Sequence, residues 1–257
     1  MFDNLELPNE TIDKMYDDAV HPAASEAGKF AGRIPRLINA ALAPLDCWIL
    51  EREHHIEKTK QLLEENLKNK NPEKIVTPEP YVAVPAIQAI SYAMNSDELR
   101  TLYANLLAKS IYLDTKDSVH PAFTEIIKNL SPVDCRVFNS IMKTNYQEIA
   151  CYEMRVGTIG NTSYHVAFQY ITPFTFDSLY SIASSIDNLS RCNLINPSDF
   201  RFDDDSYYLK IRETQPFKDI VSLYSNNPNN QELRPCKKSI KSTNLGRRFY
   251  NICCIPL

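Results

Sequence analysis

The chain has 257 residues, and its 28 basic and 32 acidic side chains give a net charge of −4. This charge alone indicates neither a nucleic-acid nor a membrane partner, and five glycines are too few for a glycine-rich phosphate-binding fold. The seven cysteines, an odd number without a C-x-x-C spacing, indicate free thiols in a reducing cytoplasm.

The sequence predicts neither export nor a membrane-spanning helix. Its first residues lack a basic segment followed by an apolar one, so we expect no signal peptide. The most apolar window, 34–50, contains Arg36, Asp46 and two prolines, and falls short of the roughly 18–20 apolar residues that a spanning helix needs. We therefore expect a cytoplasmic protein.

The charge is distributed unevenly along the chain. Residues 1–127 contain 13 basic and 20 acidic side chains, a net charge of −7, whereas residues 128–257 contain 15 and 12, a net charge of +3. An acidic half joined to a mildly basic half favours two modules.

Residues 10–70 have the pattern of nearly continuous helix, with breaks at Pro22, Pro35 and Pro44. Two ladders of small residues four positions apart share one helical face there: Ala23, Ala27 and Ala31, and Ala24, Gly28 and Gly32. We interpret this stripe as a helix-packing or interface surface, formed mainly by Ala24, Ala27, Gly28, Ala31 and Gly32. Three alternatives stay open: packing inside a helical domain, an interface with a partner or second copy, and insertion at a membrane surface.

Further helices are predicted after an extended, proline-rich linker at 70–80. One spans about 84–94, with Pro85 in its first turn. The next follows a capping-box-like start at 95–98 and places apolar residues three or four apart, which predicts a buried face: Leu99, Leu102, Tyr103, Leu106, Leu107 and Ile111. A third carries Phe123, Ile126, Ile127 and Leu130. The run Ser131–Asp134 then combines a cap, a first-turn proline and an acidic third position, so it starts another helix.

The pattern changes after Lys143. Alternating residues at 150–156 and 164–170, joined by a glycine-containing connection, predict a β-hairpin. A helix at about 176–192 follows, then a second hairpin pairing 200–202 with 207–211, a short helix at 217–224, a polar loop and a last helix at about 245–253. We expect a predominantly α-helical α+β protein: a helical domain at 1–130 and a small winged-helix-like α+β domain at 131–257.

Several segments together resemble the bacterial Abi-alpha (abortive infection alpha) family. They are residues 21–46, 84–100 and 102–110 and, most strongly, the run 120–132 (HPAFTEIIKNLSP); residues 187–195 and 245–249 match more loosely. The resemblance covers most of 13–138 and implies a role in bacterial defence against phage, by stopping the infected cell. It implies no particular reaction and no catalytic residues.

Four clusters of chemically active side chains have ordinary structural interpretations, which we prefer. The segment 51–57 (EREHHIE) has metal-ligand residue types but not the H-E-x-x-H spacing, and we interpret it as a solvated helix face. His21 and His120 each precede a proline at a helix start, where a local capping role is expected. The run 203–205 fits a hairpin turn better than a calcium loop, and Cys253 and Cys254 are taken as structural thiols. We therefore expect no catalytic site, metal or cofactor.

A basic stretch near the C-terminus offers a weaker alternative, contact with nucleic acid through neutralised phosphates. It consists of Arg234, Lys237, Lys238, Lys241, Arg247 and Arg248. Acidic residues Asp177 and Asp187 in the preceding helix would repel a DNA backbone. Our first hypothesis is therefore a phage-defence protein that acts by binding a protein, a phage component or a second copy. The alternatives are a membrane-perturbing effector that uses residues 13–50 and an enzyme whose site is not recognisable.

Overall fold

The computed structural model describes residues 34–42, 53–90, 93, 96–160, 162–225 and 231–257. Contacts between α-carbons divide the chain into two units. The first contains the described residues up to Asn129 together with Asn251–Leu257, and the second is Leu130–Tyr250. The two-domain organisation with a boundary at residue 130 stays a prediction.

The described part of the first unit is helical. Its α-helices are α1 (Ile34–Leu42), α2 (Glu53–Leu67), α3 (Pro80–Ile90), α4 (Asp97–Ser110) and α5 (Ala122–Lys128), with 3-10 turns at Pro72–Lys74 and Lys116–Ser118. Helix α4 contacts α2, α3 and α5. It begins at the cap Ser96, whose hydroxyl accepts a hydrogen bond from the Leu99 amide at 3.2 Å. Five of the six residues predicted to form the buried face are confirmed as buried, and the sixth, Leu99, is half-buried; the five are Leu102, Tyr103, Leu106, Leu107 and Ile111.

The proline-rich segment before α3 differs from the prediction at its end. Helix α3 begins at Pro80 rather than near residue 84, so Pro85 lies inside the helix and not in its first turn. The carbonyl of Glu79 accepts hydrogen bonds from the amides of Val82 and Ala83, which starts the helix earlier. The extended part of the linker is held in place, because Ile75 forms a β-bridge with Tyr112.

The second unit combines helices with one antiparallel sheet. Its elements in chain order are α6 (Pro132–Met142), β1 (Glu148–Thr158), β2 (Tyr164–Ile171), α7 (Leu179–Arg191), β3 (Ile195–Ser198), α8 (Ser206–Arg212), α9 (Gln215–Ser225), β4 (Gln231–Ser242) and α10 (Asn244–Phe249). A π-helical turn, Tyr250–Cys254, follows α10, and from Asn251 onward it belongs to the first unit. The strand order is β2-β1-β4-β3. These elements confirm the α+β class.

The predicted first hairpin is confirmed, and the second is wrong. Strands β1 and β2 pair antiparallel, with Val156 opposite His165. Residues 200–202 form no strand, and residues 207–211 lie in helix α8, in which Tyr208 and Ile211 are buried and Leu209 is exposed. The spacing of three between the buried residues is helical, and the apparent alternation of 207, 209 and 211 was misleading. The winged-helix-like arrangement is accordingly not confirmed.

Strand β4 replaces the predicted polar loop. It is rich in lysine and arginine and contains Pro235, which normally argues against a strand in a sheet. Residues 231–241 pair with β1 along the whole strand, but β3 pairs only with residues 239–242. No described strand pairs with β4 at Pro235 on the side where β3 lies. An N–H group at this position would have no hydrogen-bond partner in the sheet, so a proline, which lacks that group, is tolerated there.

One face of the sheet carries an apolar cluster of the second unit. Side chains of β1, including Tyr152 and Met154, pack there against Tyr208 of α8 and Phe217 of α9. Because successive residues of a strand point to opposite faces, the intervening β1 residues Cys151, Glu153 and Arg155 belong to the other face.

Candidate functional site

The predicted small-residue stripe lies outside the residues that the structure describes. This applies to Ala24, Ala27, Gly28, Ala31 and Gly32, and also to His21. The side chains of the EREHHIE segment are likewise outside the described set. The stripe and its three alternatives therefore stay predictions.

The six basic residues near the C-terminus do not form one surface. Arg234, Lys237, Lys238 and Lys241 lie on β4, whereas Arg247 and Arg248 lie on α10. Because strand side chains alternate, Arg234 and Lys238 point to one face of the sheet and Lys237 and Lys241 to the other.

Most of these basic groups already have partners within the chain. Lys237 forms an ion pair with Asp205 at 2.6 Å, and Lys238 contacts both Glu153 and Asp199. The Arg234 guanidinium lies 4.2 Å from the centre of the Tyr164 ring.

Arg247 donates hydrogen bonds to the backbone and side chain of Ser242. Lys241 and Arg248 are exposed. This arrangement does not favour a continuous track for a phosphate backbone.

Two other predicted clusters take part in local structure. The Nδ1 atom of His120 accepts a hydrogen bond from the Ala122 amide at 3.1 Å, as expected for a capping residue at the start of α5. In the acidic run, Asp204 accepts hydrogen bonds from the amide and hydroxyl of Ser206, and Asp205 pairs with Arg212 and Lys237. No group of three or more metal-ligating side chains occurs among the described residues.

An exposed aromatic surface in the second unit was not predicted as a site. We use this name for Phe200, Phe202 and Tyr207, which lie between β3 and the first turn of α8. The rings of Phe202 and Tyr207 stack with centroids 4.5 Å apart, and Phe200 meets Phe202 edge-on at 6.1 Å. Phe200 is 59% exposed and Tyr207 is 42% exposed. Aromatic side chains of this kind supply much of the binding energy at protein interfaces.

A small polar pocket lies on the sheet face to which Cys151 and Glu153 belong. It has a volume of about 200 Å³ and is lined by Cys151, Tyr152, Glu153, Tyr170, Pro197, Ser198, Asp199, Lys238 and Ser239. A chain of ion pairs crosses it. The Arg155 Nε atom donates to Glu153 at 2.7 Å, Lys238 lies 3.6 Å from Glu153, and Lys238 donates to Asp199. The pocket wall therefore holds one cationic side chain, Lys238, and two anionic ones, Glu153 and Asp199, and Arg155 pairs with Glu153 beside it.

The backbone is irregular where it borders this pocket. The pairing of β1 with β2 shifts register twice, between Tyr152 and Met154 and between Met154 and Arg155. Tyr170 lies in this region with φ of 54°, a left-handed conformation that is unfavourable for an aromatic residue. Bulges and strained residues are concentrated beside functional sites, where they redirect side chains.

Burial and ion pairing shift several pKa values in the pocket. Burial raises the pKa of the Cys151 thiol to about 12, so this thiol is an unreactive structural group. Burial, followed by the charge of Asp187 and a hydrogen bond with it, raises the pKa of Tyr170 to about 12. The hydrogen bond from Lys238 lowers the pKa of Asp199. At neutral pH the pocket therefore presents a neutral thiol and phenol beside fully ionised Asp199.

The model of the family described as abortive infection alpha matches residues 51–253 of this chain. No curated protein matches it, and no solved structure does. Within the described residues, no helix is both long and apolar enough to cross a bilayer. The family match takes in both units and includes all residues of the aromatic surface and the polar pocket. On the strength of that match, the chain belongs to the abortive infection alpha family.

Proposed function

We propose that this protein acts in abortive infection, limiting phage multiplication by binding a protein partner rather than by catalysis. Family membership supports the role in defence. The observation that supports binding is the aromatic surface, in which Phe200 and Tyr207 are exposed and Phe202 is half-buried, although the neighbouring Tyr208 is fully buried.

The physical reason is the cost of exposing apolar area. Each aromatic side chain buries a large area in a complex, and three in contact form a small preassembled patch. The ring contacts hold Phe202 and Tyr207 in place before binding. Less side-chain entropy is therefore lost when a partner binds. Single exposed apolar residues are common, whereas a stacked group is a candidate binding centre.

The partner that fits best is a protein surface with apolar side chains. Exposed charges of both signs, Arg201, Asp203, Asp204 and Lys210, lie between or close to the three aromatic residues along the chain. This alternation is typical of the polar rim around an interface core. It also offers no single-sign field for a nucleic acid or an anionic membrane.

The test is phage plating on bacteria that express the full chain. The double substitution Phe200→Ser with Tyr207→Ser should abolish protection, while the melting temperature of the purified protein stays within a few degrees of the parent value. Leu223→Ser is the matched control, because Leu223 is 62% exposed and lies on α9, away from the rings along the chain. It should keep protection.

Oligomeric state separates the two kinds of protein partner. If the partner is a second copy, the parent chain should be a dimer or larger in light scattering, and the double variant a monomer. If it is another protein, both should have the same mass and differ only in protection. Protection that survives the double substitution would contradict binding through this surface.

A further inference from the structure

We propose that the polar pocket binds a compact oxyanion, a phosphate group, which displaces the carboxylate of Asp199 from the ammonium group of Lys238. This site shares no lining residue with the aromatic surface, and the inference does not depend on the proposed binding of a protein partner. It rests on the way in which Lys238, Glu153, Arg155 and Asp199 share their charges.

Lys238 is held at the pocket by the sheet itself. It lies on β4 opposite Cys151 of β1, and its side chain is only 20% exposed. Glu153 is also enclosed, with a side chain 15% exposed, and its two oxygens contact Arg155 and Lys238. The single negative charge of Glu153 is thus shared by Arg155 and Lys238. One of their two positive charges needs a further anionic partner.

The carboxylate of Asp199 provides this second anionic partner from the solvent-exposed edge of the pocket. Its side chain is 89% exposed, and it follows the last residue of the short strand β3. The Phe200 amide donates to the hydroxyl of Ser198, and this turn places Asp199 beside Lys238. An ion pair with so exposed a partner contributes little stability. A free anion can therefore replace Asp199 at small cost, and the carboxylate already marks where an anionic oxygen binds.

The size of the pocket limits the ligand to a small group. Its volume of about 200 Å³ lies below the roughly 300–1,000 Å³ typical of sites that enclose drug-sized ligands. A phosphate group with one or two waters fits this space. Lysine is a common phosphate ligand because its ammonium group carries three donors. The strained backbone of Tyr170 on the opposite wall is an independent sign of a built site.

The experiment titrates the full-length protein with inorganic phosphate at constant ionic strength and measures the heat of binding. The parent chain should bind saturably. Asp199→Asn removes the internal competitor while keeping its size, and should tighten binding by roughly two- to five-fold, the contribution of one exposed ion pair. Lys238→Met should weaken binding about tenfold or more.

Lys241→Met is the matched control, because Lys241 is an exposed lysine on the same strand. It should leave phosphate affinity unchanged. Adenosine monophosphate as a second titrant separates two sources of the group: tighter binding than inorganic phosphate indicates a phosphate ester, and equal or weaker binding indicates free phosphate.

Three results would overturn the proposal. They are the absence of saturable binding at millimolar phosphate in both the parent and the Asp199→Asn protein, an Asp199→Asn affinity no higher than the parent's, and equal losses from the Lys238 and Lys241 substitutions. If Lys238→Met fails to fold by circular dichroism, the comparison of Asp199→Asn with the parent still decides.

Discussion

The backbone of Gly246 lies against the carbonyl group of Leu194, so closely that a Cβ atom on residue 246 would stand 2.0 Å from the Leu194 oxygen. The same oxygen accepts a hydrogen bond from the Thr243 amide at 3.0 Å. The Thr243 hydroxyl in turn caps α10 by accepting from the Gly246 amide. The start of α10 is thus fixed against the turn that precedes β3. The two segments with a looser family resemblance, 187–195 and 245–249, meet at this contact.

We expect Gly246→Ala to lower the free energy of unfolding by about 2 kcal/mol or more. Alanine would gain up to about 1 kcal/mol in helix propensity, but relieving a 2.0 Å contact requires moving α10 and losing its cap. Urea unfolding followed by circular dichroism measures the difference. The control is Arg248→Ala, an exposed residue of the same helix, for which we expect a change below about 0.5 kcal/mol. Equal stability of the two variants would show that the close approach is unimportant.

The start of α6 gives a second prediction. Ser131 and Asp134 form a reciprocal capping box: the Ser131 hydroxyl accepts from the Asp134 amide at 3.1 Å, and the Asp134 carboxylate accepts from the Ser131 amide at 2.6 Å. Asn188 of α7 also donates to Asp134, at 2.9 Å. Ser131→Ala should therefore cost about 1 kcal/mol of stability. Asp134→Ala should cost more, about 2–3 kcal/mol, because two donors lose their acceptor.

Thermal and urea unfolding of these variants would check the order of the two effects. Ser140→Ala serves as the control, because the Ser140 hydroxyl donates to the Arg136 carbonyl of its own helix and so does not join α6 to another element. It should change stability by less than about 0.5 kcal/mol. If Asp134→Ala were no more destabilising than Ser131→Ala, the bond from Asn188 would contribute nothing.

The buried lysine of α4 gives a third prediction. Lys109 is 5% exposed, and its ammonium group donates to the carbonyl oxygens of Asn251, Ile252 and Ile255. Asn105, one turn earlier, donates to the carbonyl of Cys253 at 2.8 Å. Lys109→Met keeps the length of the side chain but leaves these carbonyls without their donor, so we expect a loss of about 1–3 kcal/mol at pH 7. Lys68→Met, at an exposed position of the same unit, should be neutral.

The same residue makes stability depend on pH. Burial lowers the pKa of Lys109 from 10.5 to about 8. Between pH 8 and 10.5 the unfolded chain therefore binds more protons at this site than the folded chain, and stability rises with pH. Above pH 10 the raised pKa values of Tyr103 and Tyr170 act in the opposite direction. The advantage of the parent over Lys109→Met should grow between pH 8 and 10; a difference independent of pH would contradict the assignment.

Local patterns in the sequence were sufficient for several elements. The three-and-four spacing of Leu102, Leu106 and their neighbours predicted the buried face of α4, and Ser131 with Asp134 predicted the start of α6. Alternation predicted the hairpin of β1 and β2. These signals depend on contacts within one helix or between adjacent strands, so they can be read from neighbouring residues.

Strand β4 was missed for the opposite reason. Its lysines and Pro235 carry no strand signal of their own, and the strand exists because β1, about 80 residues earlier, supplies a partner for 231–241. The wrong prediction at α8 has a related cause. Its short sequence fits both a strand and a helix, and the choice depends on which of its residues pack in the core, here Tyr208 and Ile211.

The sequence by itself determined the family, the α+β class and the elements whose hydrogen bonds close locally. Only the tertiary structure decided where the candidate sites lie. The polar pocket assembles residues near 152, 170, 198 and 238, and its charge balance depends on Lys238 meeting Glu153 and Asp199 across three strands. A local sequence pattern cannot predict these contacts, because they depend on the register in which strands from distant parts of the chain pair.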